Sequence, residues 1–336
     1  MNTKLTTVLA GLFLMIAAGA YAHHATGPVY DRSRTVEMEG EVTEVLWRNP
    51  HIGFTVAGVD SNGDPRMLEI ETNSVSIVSR FGLTPGLVSP GTRVTVAGNP
   101  GRMSADLLWL TNMLLPSGDE ILFGSRYAPR WSDRTIGEDI RGEITPDVDG
   151  RGIFRVWTNG GGGSLWNSSY PLTPAAQAAR DRYDPVADDP TQNCAPKGMP
   201  YIMEQPYPMQ FIDEGEAIVM RLEEYDTVRR FYMSAEDVDD SAPPNLIGRS
   251  VGRWEGDTLV VDTTAIDYGF FNNAGIRQSP AVQTEERFTL NEDGSVLNYQ
   301  LTVTDPATFA EPVVQDKTWV WRPGEEVRPY DCASSE

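Results

Sequence analysis

Hydrophobic and polar positions divide the chain into an apolar leader, two regions of strand-like alternation and an irregular stretch between them. Residues 8–20 are a nearly unbroken apolar run behind Lys4, too short to span a bilayer, and Ala20-Tyr21-Ala22 puts small residues where a signal peptidase reads them. Residues 1–22 therefore read as a signal peptide, with a cut after Ala20 as the alternative to one after Ala22. From 23 to 123 the alternation predicts strands at 36–47, 52–58, 66–72, 92–98 and 106–115, and a short helix at 74–81 ended by Gly82. The irregularity at Gly40 reads as a bulge, and Ser61-Asn62-Gly63-Asp64-Pro65 as a hairpin turn. Three strands, a helix and two strands is the order of an OB-like five-stranded barrel.

Residues 124–208 carry no sustained period and read as an irregular connector. Gly160 to Gly163 marks a flexible tip, and Thr173-Pro174 starts one short helix running to about residue 183. The prolines at 185 and 190 break it, and the acidic residues beside them lack calcium-loop spacing. From 209 to 336 strands are expected at 217–223, 226–233, 250–255, 257–263, 282–290, 295–305 and 314–322. Leu297, Tyr299, Leu301 and Val303 share one face, opposite Asn298, Gln300 and Thr302. The fold class is mainly all-β, and this second part is an antiparallel, lipocalin-like barrel or a flattened sandwich, between which periodicity does not choose.

A net charge of −21 argues against a nucleic-acid or anionic-membrane partner, since phosphate binding needs concentrated Lys and Arg. No Cys stands near the expected cleavage point, so no stable membrane anchor is expected and a periplasmic or secreted location follows. Cys194 and Cys332 are an even pair in a compartment where disulfides persist. The alternative, a reactive thiol, lacks a neighbouring His or helix N-terminus to activate it.

Only three histidines occur, so imidazole chemistry has few places to be. Cleavage after Ala22 would give His23 a free amine beside its ring, and His51 can complete a nitrogen set that favours Cu(II), with His24 as neighbour or alternative ligand. Cleavage after Ala20 would leave a third-position His, which also makes a square-planar Cu(II) or Ni(II) site. The plain alternative is a solvated terminus, with His51 bonded locally. His51 follows Asn49-Pro50 and falls at the start of the second strand, on the barrel rim. Copper is the one cofactor these residues suggest.

Several phrases together resemble an uncharacterised family of exported bacterial proteins: Ala22-His23-His24, Gly40-Glu41-Val42-Thr43, Trp47-Arg48-Asn49-Pro50-His51, residues 194–200 (CAPKGMP), residues 252–263 (GRWEGDTLVVDT) and Tyr330-Asp331-Cys332. The resemblance implies export and a small N-terminal barrel, and brings no settled activity. Relatives often carry His-Ser where this chain has Gln278-Ser279, so a mechanism resting on that His would not operate here.

Elsewhere, Trp254-Glu255-Gly256-Asp257 reads as a hairpin turn rather than an acid–base pair. Asp262, Asp267, Glu285 and Glu286 can meet in a barrel mouth beneath Tyr268, Phe270 and Phe271, with Arg221, Arg230 and Arg287 as partners. Tyr268, Phe270, Phe271, Glu285 and Arg287 are the candidate ligand-binding residues. No nucleophile elbow, P-loop or dinucleotide fingerprint is present. Three readings follow: an exported small-ligand-binding or accessory protein whose second barrel takes a small apolar molecule, a copper carrier or copper-dependent oxidoreductase, and a metal-independent lyase, isomerase or hydrolase. Whether the protein is an enzyme stays open at this point.

Overall fold

The computed structural model describes residues 26–59, 63–160 and 169–332. The expected signal peptide, His23, His24 and most of the glycine-rich tip lie outside them. A short helix, α1 (Thr26–Val29), precedes the first barrel, whose strands are β1 (Val36–Leu46), β2 (Gly53–Val59), β3 (Pro65–Glu71), β4 (Arg93–Pro100) and β5 (Leu107–Leu114). They lie in the order β3-β2-β1-β4-β5, and a parallel pairing of β3 with β5 closes the ring. That closing register sets Ile70 opposite Leu108 and Glu71 opposite Trp109. Alternate residues enter the core, among them Val42, Phe54, Val56, Leu68, Ile70 and Val96. The helix α2 (Val75–Val78), capped by Ser74 accepting from Ile77 N, plugs one end with Val78. The bulge falls at Thr43, between the pairs of Val42 and Glu44. Gly40 instead permits a close approach of strands, since a Cβ there would meet Ala57 O at 2.5 Å and the β1–β2 crossing admits no side chain.

Two short strands, β6 (Glu120–Leu122) and β7 (Thr135–Ile136), extend the sheet beyond β5. The second barrel is built from β8 (Val156–Asn159), β9 (Met209–Asp213), β10 (Ala217–Leu222), β11 (Thr227–Tyr232), β12 (Arg249–Glu255), β13 (Thr258–Thr264), β14 (Gln283–Leu290), β15 (Val296–Thr304) and β16 (Val313–Val320). It closes through β16-β8-β9-β10, so the sandwich alternative falls away. Two strands and one pairing of this barrel differ from the sequence reading, and β9 was not among the expected strands. β8 comes from the expected connector and supplies the closing strand, with Trp157 opposite Met209 and Asn159 opposite Trp319. The β11–β12 pairing is parallel, held at Phe231 and Tyr232. The connector helix, α3 (Pro174–Arg180), starts where Thr173 caps Ala176 N.

The two barrels are pinned to one another by buried polar groups. Arg80, at the end of the α2 turn, donates to both carboxylate oxygens of Glu223 at 2.9 and 2.8 Å and to Glu325 at 2.9 Å. Cys194 and Cys332 form a disulfide with Cα atoms 5.9 Å apart, fastening residues 330–332 to the turn at 192–194. Among the described residues, no helix is long and apolar enough to cross a membrane.

Candidate functional site

His51 sits where the sequence places it, on the rim of the first barrel beside the entry to β2. Asn49, only 3% exposed, reaches across the barrel junction. Its amide donates to Tyr330 O and to Ser76 Oγ, while Ser76 N donates back to its Oδ1. The Asn of the Asn-Pro-His motif is thus a pin between the barrels, and it fixes the backbone that presents the His.

The His51 side chain is 17% exposed, and its Nδ1 lies 3.8 Å from Glu71 Oε2. Its ring meets Trp109 edge-on at 5.2 Å. These neighbours follow from the β3–β5 register, which sets Glu71 and Trp109 side by side. Tyr30 completes the group, donating to Glu71 Oε2 at 2.7 Å and standing 5.6 Å from Trp109. Burial, with the Glu71 charge beside it, pushes the Tyr30 phenol far above its ordinary value, so it stays a donor. Tyr30 closes the Thr26 turn and bridges to Gly101, and Arg102 N donates to Val29 O at 2.8 Å. The segment Thr26–Tyr30 is therefore fastened against the carboxylate that faces His51.

Among the described residues, no three His, Cys, Asp or Glu side chains converge as a metal-holding group. His51 and Glu71 are two potential donors in one place. His23 and His24, the remaining candidate ligands, lie outside the described residues.

The candidate ligand residues of the second barrel do not converge. Glu285 and Arg287 lie on the outer face of β14, in a ladder where Arg287 meets Glu255 at 2.7 Å and Arg253 reaches Glu255 and Asp262. Arg230 pairs with Glu214 outside the barrel, and Arg221, Asp262 and Asp267 are exposed. Glu255 stands in the β12–β13 turn at Gly256, as the turn reading requires. Phe271 packs on Tyr170 and Phe309, while Tyr268 and Phe270 face one another at 6.3 Å near Tyr183. Gln278 donates to Met199 O and Tyr268 O and holds this loop closed.

A family model described as a family of unknown function (DUF6152) matches residues 12–107. No curated protein and no solved structure matches the chain. The matched stretch contains the expected cleavage point and the first four strands of the first barrel, with His51 and Glu71 inside it. The second barrel lies beyond it.

The structure also brings forward residues that the sequence reading passed over, and gives Glu286, expected in a barrel mouth, an interior partner. In the second barrel the interior ion pair is Arg229 with Glu286, both fully buried, joined by bonds of 2.9 and 2.5 Å. Tyr299 OH adds a third bond to Glu286 at 2.9 Å. Trp157, Trp319, Phe231 and Phe288, none of them exposed, fill the space around the pair. On the first barrel, Tyr30, Glu71 and Trp109 were not singled out.

Proposed function

We propose that the protein is exported and binds Cu(II) on the rim of its first barrel, as a carrier or accessory protein. His51 and a His23 freed by signal cleavage are the ligands, with His24 as neighbour or alternative. The observation that carries the reading is the shared carboxylate: Tyr30, just behind the start of the mature chain, and His51 both address Glu71 Oε2, at 2.7 and 3.8 Å. Two residues lie between His23 and Thr26, so three residue steps give a reach of up to about 10 Å. An amine and imidazole from one residue and an imidazole from another make a nitrogen set suited to Cu(II). A carboxylate beside the ring is a usual companion of a metal-binding His.

The ligand-binding reading keeps less support than the sequence lent it. Large side chains and the Arg229–Glu286 pair occupy the described barrel interior, so a small molecule would have to bind at the barrel end, by Tyr268 and Phe270. The lyase, isomerase or hydrolase reading loses its paired carboxylates, since Glu286 faces inward on Arg229 and Glu285 faces out.

Equilibrium dialysis against Cu(II) tests the proposal. Exported, signal-cleaved protein should retain one copper per chain, and protein made in the cytoplasm with its leader replaced by a histidine-free extension of several residues, which keeps both histidines away from the free amine, should retain much less. Equal retention by both forms would reject the terminal site.

A further inference from the structure

We propose a second binding site, for a small polycarboxylate, in an arginine-lined cleft of about 460 Å³ on the first barrel. Arg32, Arg126 and Arg130 line it over a floor that includes Thr111 and Asn112, and its lining contains no Asp or Glu. In a chain with 48 acidic and 27 basic residues, three guanidinium groups around one carboxylate-free cleft run against the overall charge. Glu37, which pairs with Arg130, is the carboxylate at its edge. The guanidinium fork matches a carboxylate in two parallel hydrogen bonds, and the volume is that of a small-molecule site.

The cleft is also built, in the sense that buried groups hold its walls. Residues 124–130 carry two of the arginines, and a buried carboxylate anchors that loop: Glu120, unexposed, accepts from Arg130 N at 2.9 Å, Trp131 N at 2.8 Å and Ser132 N at 3.0 Å. Asn112, 3% exposed, donates to Glu120 at 2.6 Å and to Ala128 O at 3.0 Å. Arg126 uses one of its five donors on Tyr127 OH, which also accepts from Trp109 Nε1. Such fixing lowers the ordering cost that a ligand would otherwise meet. A cleft with several cations and a neutral hydrogen-bonding floor selects a ligand with two or more carboxylates and further polar groups, either a small organic acid or an acidic sugar oligomer.

Calorimetric titration of metal-free, full-length mature protein with citrate, trigalacturonate and inorganic phosphate tests this. Saturable one-to-one binding of citrate or trigalacturonate is expected. Arg32→Gln and Arg126→Gln should each weaken it about tenfold, the equivalent of one charged hydrogen bond. Both residues are exposed, so the variants should fold, which circular dichroism checks. Arg230→Gln, far from the cleft, should leave binding unchanged. Tighter citrate binding assigns the site to a small acid, and tighter trigalacturonate binding to an acidic sugar. The proposal is overturned if neither saturates, if phosphate binds as tightly as the better polycarboxylate, or if Arg230→Gln weakens binding as much as the cleft variants.

Discussion

Replacing Arg229 by Met is expected to destabilise the second barrel by about 3–5 kcal/mol, because it leaves a carboxylate stranded in the core. Arg229 and Glu286 have no exposed side-chain surface, and two guanidinium bonds join them. Once Arg229 is gone, Tyr299 is the one described donor left to Glu286. The double variant Arg229→Met/Glu286→Leu removes both charges. It leaves the Tyr299 hydroxyl without that acceptor, at a cost of about 1–3 kcal/mol. Loss of a buried pair returns about 1–4 kcal/mol when well-packed apolar groups replace it, so the double variant should fall within about 2 kcal/mol of the parent. Urea unfolding at pH 7, followed by the fluorescence of Trp157 and Trp319 in the same core, supplies all four corners of the cycle. A single-variant loss under about 1 kcal/mol would refute the reasoning. It would mean that water reaches the pair, and a ligand within the barrel would again be the better reading.

Further expectations concern the first barrel and the join between the two. Burial pushes the Glu120 carboxyl up, but hydrogen bonds from Trp131 N, Asn112, Arg130 N and Ser132 N outweigh it and hold the group below its ordinary value of 4.5. The stability it contributes is therefore present above about pH 4.5 and lost as pH falls through the lowered native value. Glu120→Gln should cost about 1–3 kcal/mol at pH 7, and the difference from the parent should shrink as the pH is taken down from 4.5, as urea unfolding across a pH series would report. The disulfide closes a separation of 138 residues, for which the chain-entropy model gives an upper stabilisation of about 5 kcal/mol. Cys194→Ser/Cys332→Ser should lower the urea midpoint accordingly, and a thiol assay of the unfolded parent should find no free thiol before reduction. Copper retention should weaken on going from pH 7 to pH 5, because amine and imidazole must both be deprotonated to bind, and dialysis at the two pH values measures it.

Much of the fold was legible because each barrel buries one face. In β15 the alternation is nearly complete: Leu297, Tyr299, Leu301 and Val303 are buried, and Asn298 and Gln300 are exposed. The order of strands and helix in the first barrel followed from segments of the same kind. β8 escaped because four residues beside a glycine run carry too little pattern to register as a strand. The interior pair was within reach of parity: Phe231 and Phe288 face inward, and two residues before each stand Arg229 and Glu286. Choosing Glu285 and Arg287 instead selected the outer face, where a one-residue shift puts every side chain. Around His51 the limit was different. The motif marked the His, but Glu71 and Trp109 meet it through the parallel β3–β5 closure, which no local pattern reveals. Tyr330, the partner of Asn49 across the junction, lies 281 residues away along the chain.

The measurement closest to the central claim is electron paramagnetic resonance of one equivalent of Cu(II) on natively exported protein, with intact mass confirming that the chain begins at His23. Couplings from several nitrogens are expected in the parent, with one nitrogen lost in His51→Ala and the spectrum of loosely bound copper when His23 is also replaced. A spectrum that both replacements leave unchanged would contradict the proposed site.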